Sequence, residues 1–206
     1  CGYLKLFEKN NIPVAPTKCY TLSNYNPKMK LNMKKFVKSQ PHAFLKPVPG
    51  GFSKNTFSTT KNNNLNNYLN GFKKKNYSQL MIQKHMNFAT KKNPEIKCYF
   101  VGNKHSYSVK TTYDGDTLGG YSTLPNEIAS LCNKAIKVLQ STTPYLVVTR
   151  VDVFKNGGKY YVNEIEIMPW IASEDLDLIK GWNYDKHQGD QLINILNLKQ
   201  KHSSIK

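Results

Sequence analysis

Apolar residues recur at three- and four-residue spacing most regularly at Ile128, Leu131, Cys132, Ala135, Ile136 and Leu139. That spacing puts them on one stripe of a helix, opened by Leu124-Pro125-Asn126-Glu127 and running to about Gln140. A shorter stripe, Leu65, Tyr68, Leu69 and Phe72, predicts a small core helix after the Asn-rich residues 61–67, which read as an exposed loop or a frayed helix start. Leu4 and Phe7, with Leu6 between, fit the end of a helix within residues 1–11, and Ile12-Pro13-Val14-Ala15-Pro16 stops it. Residues 24–38 are polar and Lys-rich, helical towards their end. Elsewhere the pattern has a period of two, or a short apolar run. Residues 17–22, 43–47 and 79–83 predict single strands. Residues 95–102 and 104–112 predict a hairpin turning at Gly102-Asn103. Residues 145–154 and 159–167 predict a second, with Lys155 to Gly158 as its turn. Asp114-Gly115-Asp116 is a turn that lacks the rest of a calcium loop. Ser173 reads as an N-cap ahead of Glu174 and Asp175, and residues 188–199 as a last helix. The order predicts an α+β chain of two lobes joined near residues 83–86.

The last hairpin carries the most chemistry. Side chains alternate faces along a strand, so Arg150 and Asp152 share one face, as do Glu164 and Glu166. Closure at Asn156-Gly157 pairs residues whose numbers sum to about 313, which sets Asp152 near Tyr161 and within one or two pairs of Glu164. Three carboxylates and a guanidinium then converge. Carboxylates this close repel unless a cation sits among them, and Mg²⁺ takes oxygen ligands of this kind together with phosphates. Arg150 adds a planar fork suited to a phosphoryl group. A solvated acidic face on an amphipathic hairpin fits the same pattern.

Composition adds weight to the first reading. The chain has 29 Lys, 23 Asn and a single Arg, which is Arg150. A bias against Arg leaves the one that stands two residues before an Asp looking selected. The formal charge of +17 suits an anionic ligand, although the lysines are scattered and not interleaved with aromatics as in a single-strand-binding groove. Solvated surface lysine from the biased composition accounts for it more simply. Cys1, Cys19, Cys98 and Cys132 show no metal-ligand spacing and are expected to be reduced thiols. No transmembrane run and no signal peptide is visible, so the expected location is the cytoplasm. Residue 1 is not Met and falls inside an apparent element, as in a fragment or a processed chain.

Two further segments offer phosphate chemistry. Ala43-Phe44-Leu45-Lys46-Pro47 ends a strand in a lysine, and a loop containing Gly50, Gly51 and Ser53 follows, whose backbone N–H groups can wrap phosphate oxygens. A Gly-Gly loop after a strand also serves as a plain turn. His85 is a lone histidine, more consistent with a surface or hinge position than with a ligand.

These residues together resemble the ATP-grasp superfamily from about Lys5 to Pro169. Arg150-Val151-Asp152, followed by Asn163-Glu164-Ile165-Glu166-Ile167-Met168-Pro169, is similar to that family's R-x-D … E-x-N-x-x-P. Phe44-Leu45-Lys46-Pro47 and the glycine loop resemble its V-K-P and phosphate-covering loop. Ile82-Gln83-Lys84-His85-Met86 resembles its adenine-contacting hinge. Glu95, in Asn93-Pro94-Glu95-Ile96-Lys97 ahead of Tyr99-Phe100-Val101-Gly102, resembles its ribose-contacting acid, and Lys5 the lysine that opens its nucleotide-binding part. Glu166 stands where the family often has Asn, and Trp170 where a Gly is common.

The resemblance implies two α+β lobes with the nucleotide between them: an opening segment 1–17, a small lid lobe 18–82 and a C-terminal lobe 83–206. The family's front domain has no counterpart before residue 1. It implies ATP and two Mg²⁺ as cofactors, with Asp152, Glu164 and Glu166 as metal ligands. Arg150 and Lys110 are then catalytic, and Lys5, Lys46, Gly50, Gly51, Ser53, Gln83, Met86 and Glu95 bind the nucleotide. The implied activity joins a carboxylate to an amine or thiol through an acylphosphate, on small-molecule or peptide substrates, with no membrane or nucleic-acid partner. A separate chain supplying the front domain is one possible partner. Two alternatives stay open: a phosphotransferase on an anionic small molecule such as an inositol phosphate, and a non-catalytic nucleotide- or nucleic-acid-binding module.

Overall fold

The computed structural model describes residues 2–40, 42–48, 57–59, 62–73, 77–143 and 148–167. Gly50, Gly51, Ser53, Pro169, Trp170, Ser173 and the expected helix at 188–199 lie outside them. The described elements are α1 (Gly2–Lys9), β1 (Thr17–Thr21), α2 (Pro27–Lys38), β2 (Ala43–Val48), β3 (Phe57–Thr59), α3 (Asn62–Lys73), β4 (Gln79–Lys84), β5 (Glu95–Val101), β6 (Lys104–Thr111), β7 (Thr117–Tyr121), α4 (Asn126–Gln140), β8 (Val148–Asn156) and β9 (Lys159–Ile167). The chain is α+β and divides into two units. One comprises residues 1–5 and 14–86, the other residues 6–13 and 87–206, so the segment 1–17 is shared between them.

In the first unit, four antiparallel strands lie in the order β1-β4-β2-β3. β2 alternates strictly: Ala43 and Leu45 are buried, while Phe44 and Lys46 are part-buried on the other face. The buried face packs with Leu80 and Ile82 of β4, Met33 and Val37 of α2, and Leu65 and Leu69 of α3. α2 takes up nearly all of the polar stretch 24–38. Its start is built locally, since the Asn26 side chain accepts from the Met29 N–H (2.9 Å) and Pro27 occupies the first turn. β3, which has no strand pattern of its own, forms by pairing with β2.

In the second unit, five antiparallel strands run in the order β7-β6-β5-β8-β9. α4 packs on β8 and β9 through the predicted stripe, with Ile128, Cys132, Ala135, Ile136 and Leu139 buried. Cys132 and Cys98 of β5 are both fully buried there. Both are free thiols, whereas Cys19 is disulfide-bonded, which corrects the expectation of four reduced thiols. β7 was not foreseen, because Gly119 and Gly120 weaken a strand pattern; it is held by pairing with β6.

The β5–β6 turn falls at Gly102-Asn103 as predicted. The β8–β9 turn does not close at Asn156-Gly157. Asn156 pairs with Lys159, and the turn residues are Gly157 and Gly158, with φ of 56° and 81°. A two-residue turn of this kind needs left-handed backbone at both central positions, and two glycines provide it without Cβ strain. A bulge between Asp152 and Val153 then shifts the register by one more residue and leaves Asn163 as the extra one. Asp152 therefore stands opposite Glu164, not Tyr161, and Arg150 opposite Glu166. Among the described residues no helix is long and apolar enough to cross a membrane.

Candidate functional site: a carboxylate and arginine cluster on β5, β8 and β9

Register places the cluster. Antiparallel partners that lie opposite one another share a sheet face. Lys97, Asp152 and Glu164 therefore form one row across β5, β8 and β9, and Tyr99, Arg150 and Glu166 the next. Glu95 follows on the same face of β5. The bulge brings Asn163 to this neighbourhood, where its Nδ2 donates to Glu95 Oε1 (2.6 Å).

Arg150 sits at the centre. Its Nε donates to Asp152 Oδ1 (2.7 Å) and its Nη2 to Asp152 Oδ2 (2.8 Å) and to Glu166 Oε1 (2.8 Å). The Asp152 side chain is 2% exposed and that of Arg150 12%, while Glu166 at 39% reaches solvent. Glu164 is exposed.

Burial and like charge dominate the electrostatics. Burial pushes the Asp152 carboxyl above its ordinary range, against the two bonds from Arg150. Burial pushes Glu95 up to about 7, helped by the charge of Asp152 and opposed by Asn163 and Lys97. Burial works against the charge on Arg150. The bond to Asp152 and the charges of Asp152 and Glu166 outweigh it, so its pKa is raised. Among the described residues, Glu95, Asp152, Glu164 and Glu166 share this sheet face with Arg150 and Lys97.

A hard cation fits this donor set by chemistry. Every carboxylate offers oxygen, and a guanidinium already stands among them as the compensating charge. In the side-chain arrangement present, the acids are disposed about Arg150. Among the described residues no three His, Cys, Asp or Glu side chains are grouped so as to hold a metal.

The remaining sequence-named residues separate. Lys110 pairs with Ile96, so it stands on the opposite sheet face from the acids, with its Nζ 4.3 Å from the Tyr121 ring. In the first unit, Lys46 and Gln83 lie on the sheet face away from the core. Lys46 Nζ donates to Gln83 Oε1 (3.3 Å), and Gln83 Nε2 donates to Thr17 Oγ1 (3.1 Å). Met86 is buried, and Lys5 is exposed on α1. His85 stacks on Phe44 (4.7 Å) and lies 5.5 Å from His42, and burial lowers its pKa. Lys97 and Asn163 were given no role from sequence. Alternation on β5 would have put Lys97 beside Glu95, but nothing local announced the bulge that aims Asn163.

No protein-family model matches the sequence, and the comparison with curated proteins likewise returned no match. Solved structures do match. D-cycloserine synthetase DcsG aligns at a TM-score of 0.73 and 15% identity, over 94% of this chain and 69% of that one. D-alanine–D-alanine ligase from Bacillus anthracis aligns at 0.70 and 18%, over 97% and 67%. The ATP-grasp ligase PsnB, complexed with precursor peptide PsnA2 and AMPPNP, aligns at 0.65 and 13%, over 93% and 57%. The chain has the ATP-grasp fold. At this level of identity the likeness is one of fold, and within that ATP-grasp fold the β8–β9 hairpin carries the Arg150, Asp152, Glu164 and Glu166 constellation.

Proposed function

We propose that the chain binds ATP and divalent metal as an ATP-dependent ligase joining a carboxylate to an amine or thiol. The observation that supports this most is the placement of Arg150, Asp152, Glu164 and Glu166 in two adjacent cross-strand rows of an ATP-grasp fold. In this reading Asp152, Glu164 and Glu166 hold Mg²⁺, which when bound neutralises phosphate oxygens. Arg150 offers its planar fork to the transferring phosphoryl group. Lys46, Gln83, Met86, Glu95 and Lys5 take the nucleotide. A substrate carboxylate oxygen attacks the γ-phosphorus and releases ADP. The amine or thiol then attacks the acyl carbon and phosphate leaves. The protein contributes orientation and charge neutralisation more than covalent chemistry.

Turnover assays test this. ADP release should require Mg²⁺, a carboxylate and an amine or thiol together. Asp152→Asn and Glu164→Gln should each lower it at least about a hundredfold while remaining folded. Unchanged turnover in both would remove the metal assignment. The net charge of +17 favours one second reading, phosphoryl transfer to an anionic acceptor. Phosphate appearing on an inositol polyphosphate, with no need for an amine, would select it.

A further inference from the structure

The acids of the β8–β9 hairpin are organised around Arg150 and not around a point they share. Its Nε and Nη2 take both oxygens of Asp152, and Nη2 also takes one oxygen of Glu166. Two of the three carboxylates assigned to metal are thereby held by the guanidinium. A divalent cation on the Asp152 oxygens would lie within roughly 4 Å of the guanidinium beside a carboxylate that is 2% exposed, where like charges repel more strongly than in water. Mg²⁺ also demands a near-ideal ligand arrangement and gives up its water reluctantly. Guanidinium and metal are therefore alternatives here.

We propose that Arg150 is an internal counter-ion that keeps the metal position closed until a triphosphate draws the guanidinium away. Metal and nucleotide then enter together and not one after the other. The inference rests on the metal reading of Asp152, Glu164 and Glu166 given above. A phosphate group is the partner able to release the lock, because it offers the guanidinium the same forked geometry as Asp152 with more charge. Once Arg150 leaves, Asp152 and Glu166 lose that counter-charge, and a divalent ion supplies it again. Binding is then reciprocal: whatever the nucleotide adds to metal affinity, the metal adds to nucleotide affinity. A lysine could supply the charge but not the fork. In a chain of 29 Lys this position is the one that holds Arg.

The single arginine also makes the test direct, since the protein has one Arg Nε–H to observe by NMR. Mn²⁺ is titrated into the wild type and Arg150→Met, each with and without AMPPNP, and free Mn²⁺ is read by electron paramagnetic resonance. The wild type should bind Mn²⁺ at least tenfold more tightly with AMPPNP. Arg150→Met should bind Mn²⁺ without nucleotide at least tenfold more tightly than the wild type, and lose most of the nucleotide effect. In the wild type the Nε–H signal should be protected from exchange without ligand and shift on adding Mg²⁺ and AMPPNP. If Arg150→Met does not fold, Arg150→Lys stands in, because one ammonium cannot hold both Asp152 oxygens and Glu166; at least a threefold gain is expected. Arginine variants no tighter than the wild type, in a protein that takes Mn²⁺ with AMPPNP, would overturn the lock and leave the metal site standing. A wild type that binds Mn²⁺ equally well with and without AMPPNP would do the same. No Mn²⁺ binding by any of the proteins, with or without AMPPNP, would remove the metal reading and the lock with it.

Discussion

Glu95 is where the cluster's surplus of negative charge shows most plainly. It is part-buried, faces Asp152 and accepts a 2.6 Å bond from Asn163. Its folded pKa of about 7 lies above the ordinary 4.5, so the folded state holds a proton that the unfolded chain releases. The stability tied to that proton is fully present below pH 4.5 and is lost as pH rises through 7. Glu95→Gln stays neutral and keeps an acceptor for Asn163. Its urea midpoint relative to the wild type should therefore improve steadily from pH 5 to pH 8. An offset that does not change with pH would show that Glu95 ionises normally. The chemical identities at this scale were open to sequence reasoning: a lone Arg two residues before an Asp, and two Glu two residues apart, share faces by alternation alone. The Asn163 to Glu95 bond was hidden, because it joins residues 68 apart through a bulge with no local signature.

Hairpin β8–β9 shows how an element converts such identities into a site. Its turn needs left-handed backbone at Gly157 and Gly158, and a Cβ at Gly158 would meet nothing within 4 Å. Gly158→Ala should therefore cost only the conformational strain of a positive φ, about 1 kcal/mol. It should also loosen the register that sets Asp152 opposite Glu164. An unchanged denaturant midpoint would mean that the turn does not constrain the hairpin. Strand β2 makes a different contribution, since its inward residues anchor the face that presents Lys46. Leu45 is fully buried among α2, α3 and β4. Leu45→Ala should destabilise by about 3 kcal/mol, read from chemical denaturation. A loss under 1 kcal/mol would place Leu45 outside the core. Elements with strong periodicity, α4 and the two hairpins, were legible from their own residues. β3 and β7 were not, because three residues in one case and a Gly-Gly pair in the other become strands only by pairing with a neighbour.

At the scale of the whole molecule, Lys46 and Gln83 lie in one unit and Arg150 and Asp152 in the other. Lys46→Ala should weaken ATP affinity by about 1–2 kcal/mol, the scale of one charge-assisted hydrogen bond. Equal affinity in a calorimetric titration would remove Lys46 from the nucleotide site. The sequence by itself determined the α+β class, the two hairpins, the α4 stripe and the family likeness, because these depend on residue types at short spacing. Only the tertiary structure decided that the hairpin turns at two glycines and bulges at Asn163. The same structure sets Lys110 on the far face and binds the guanidinium of Arg150 to two of the acids proposed to hold metal. Register and side-chain pairing are settled by competition among distant partners, and no local window of the chain contains both competitors.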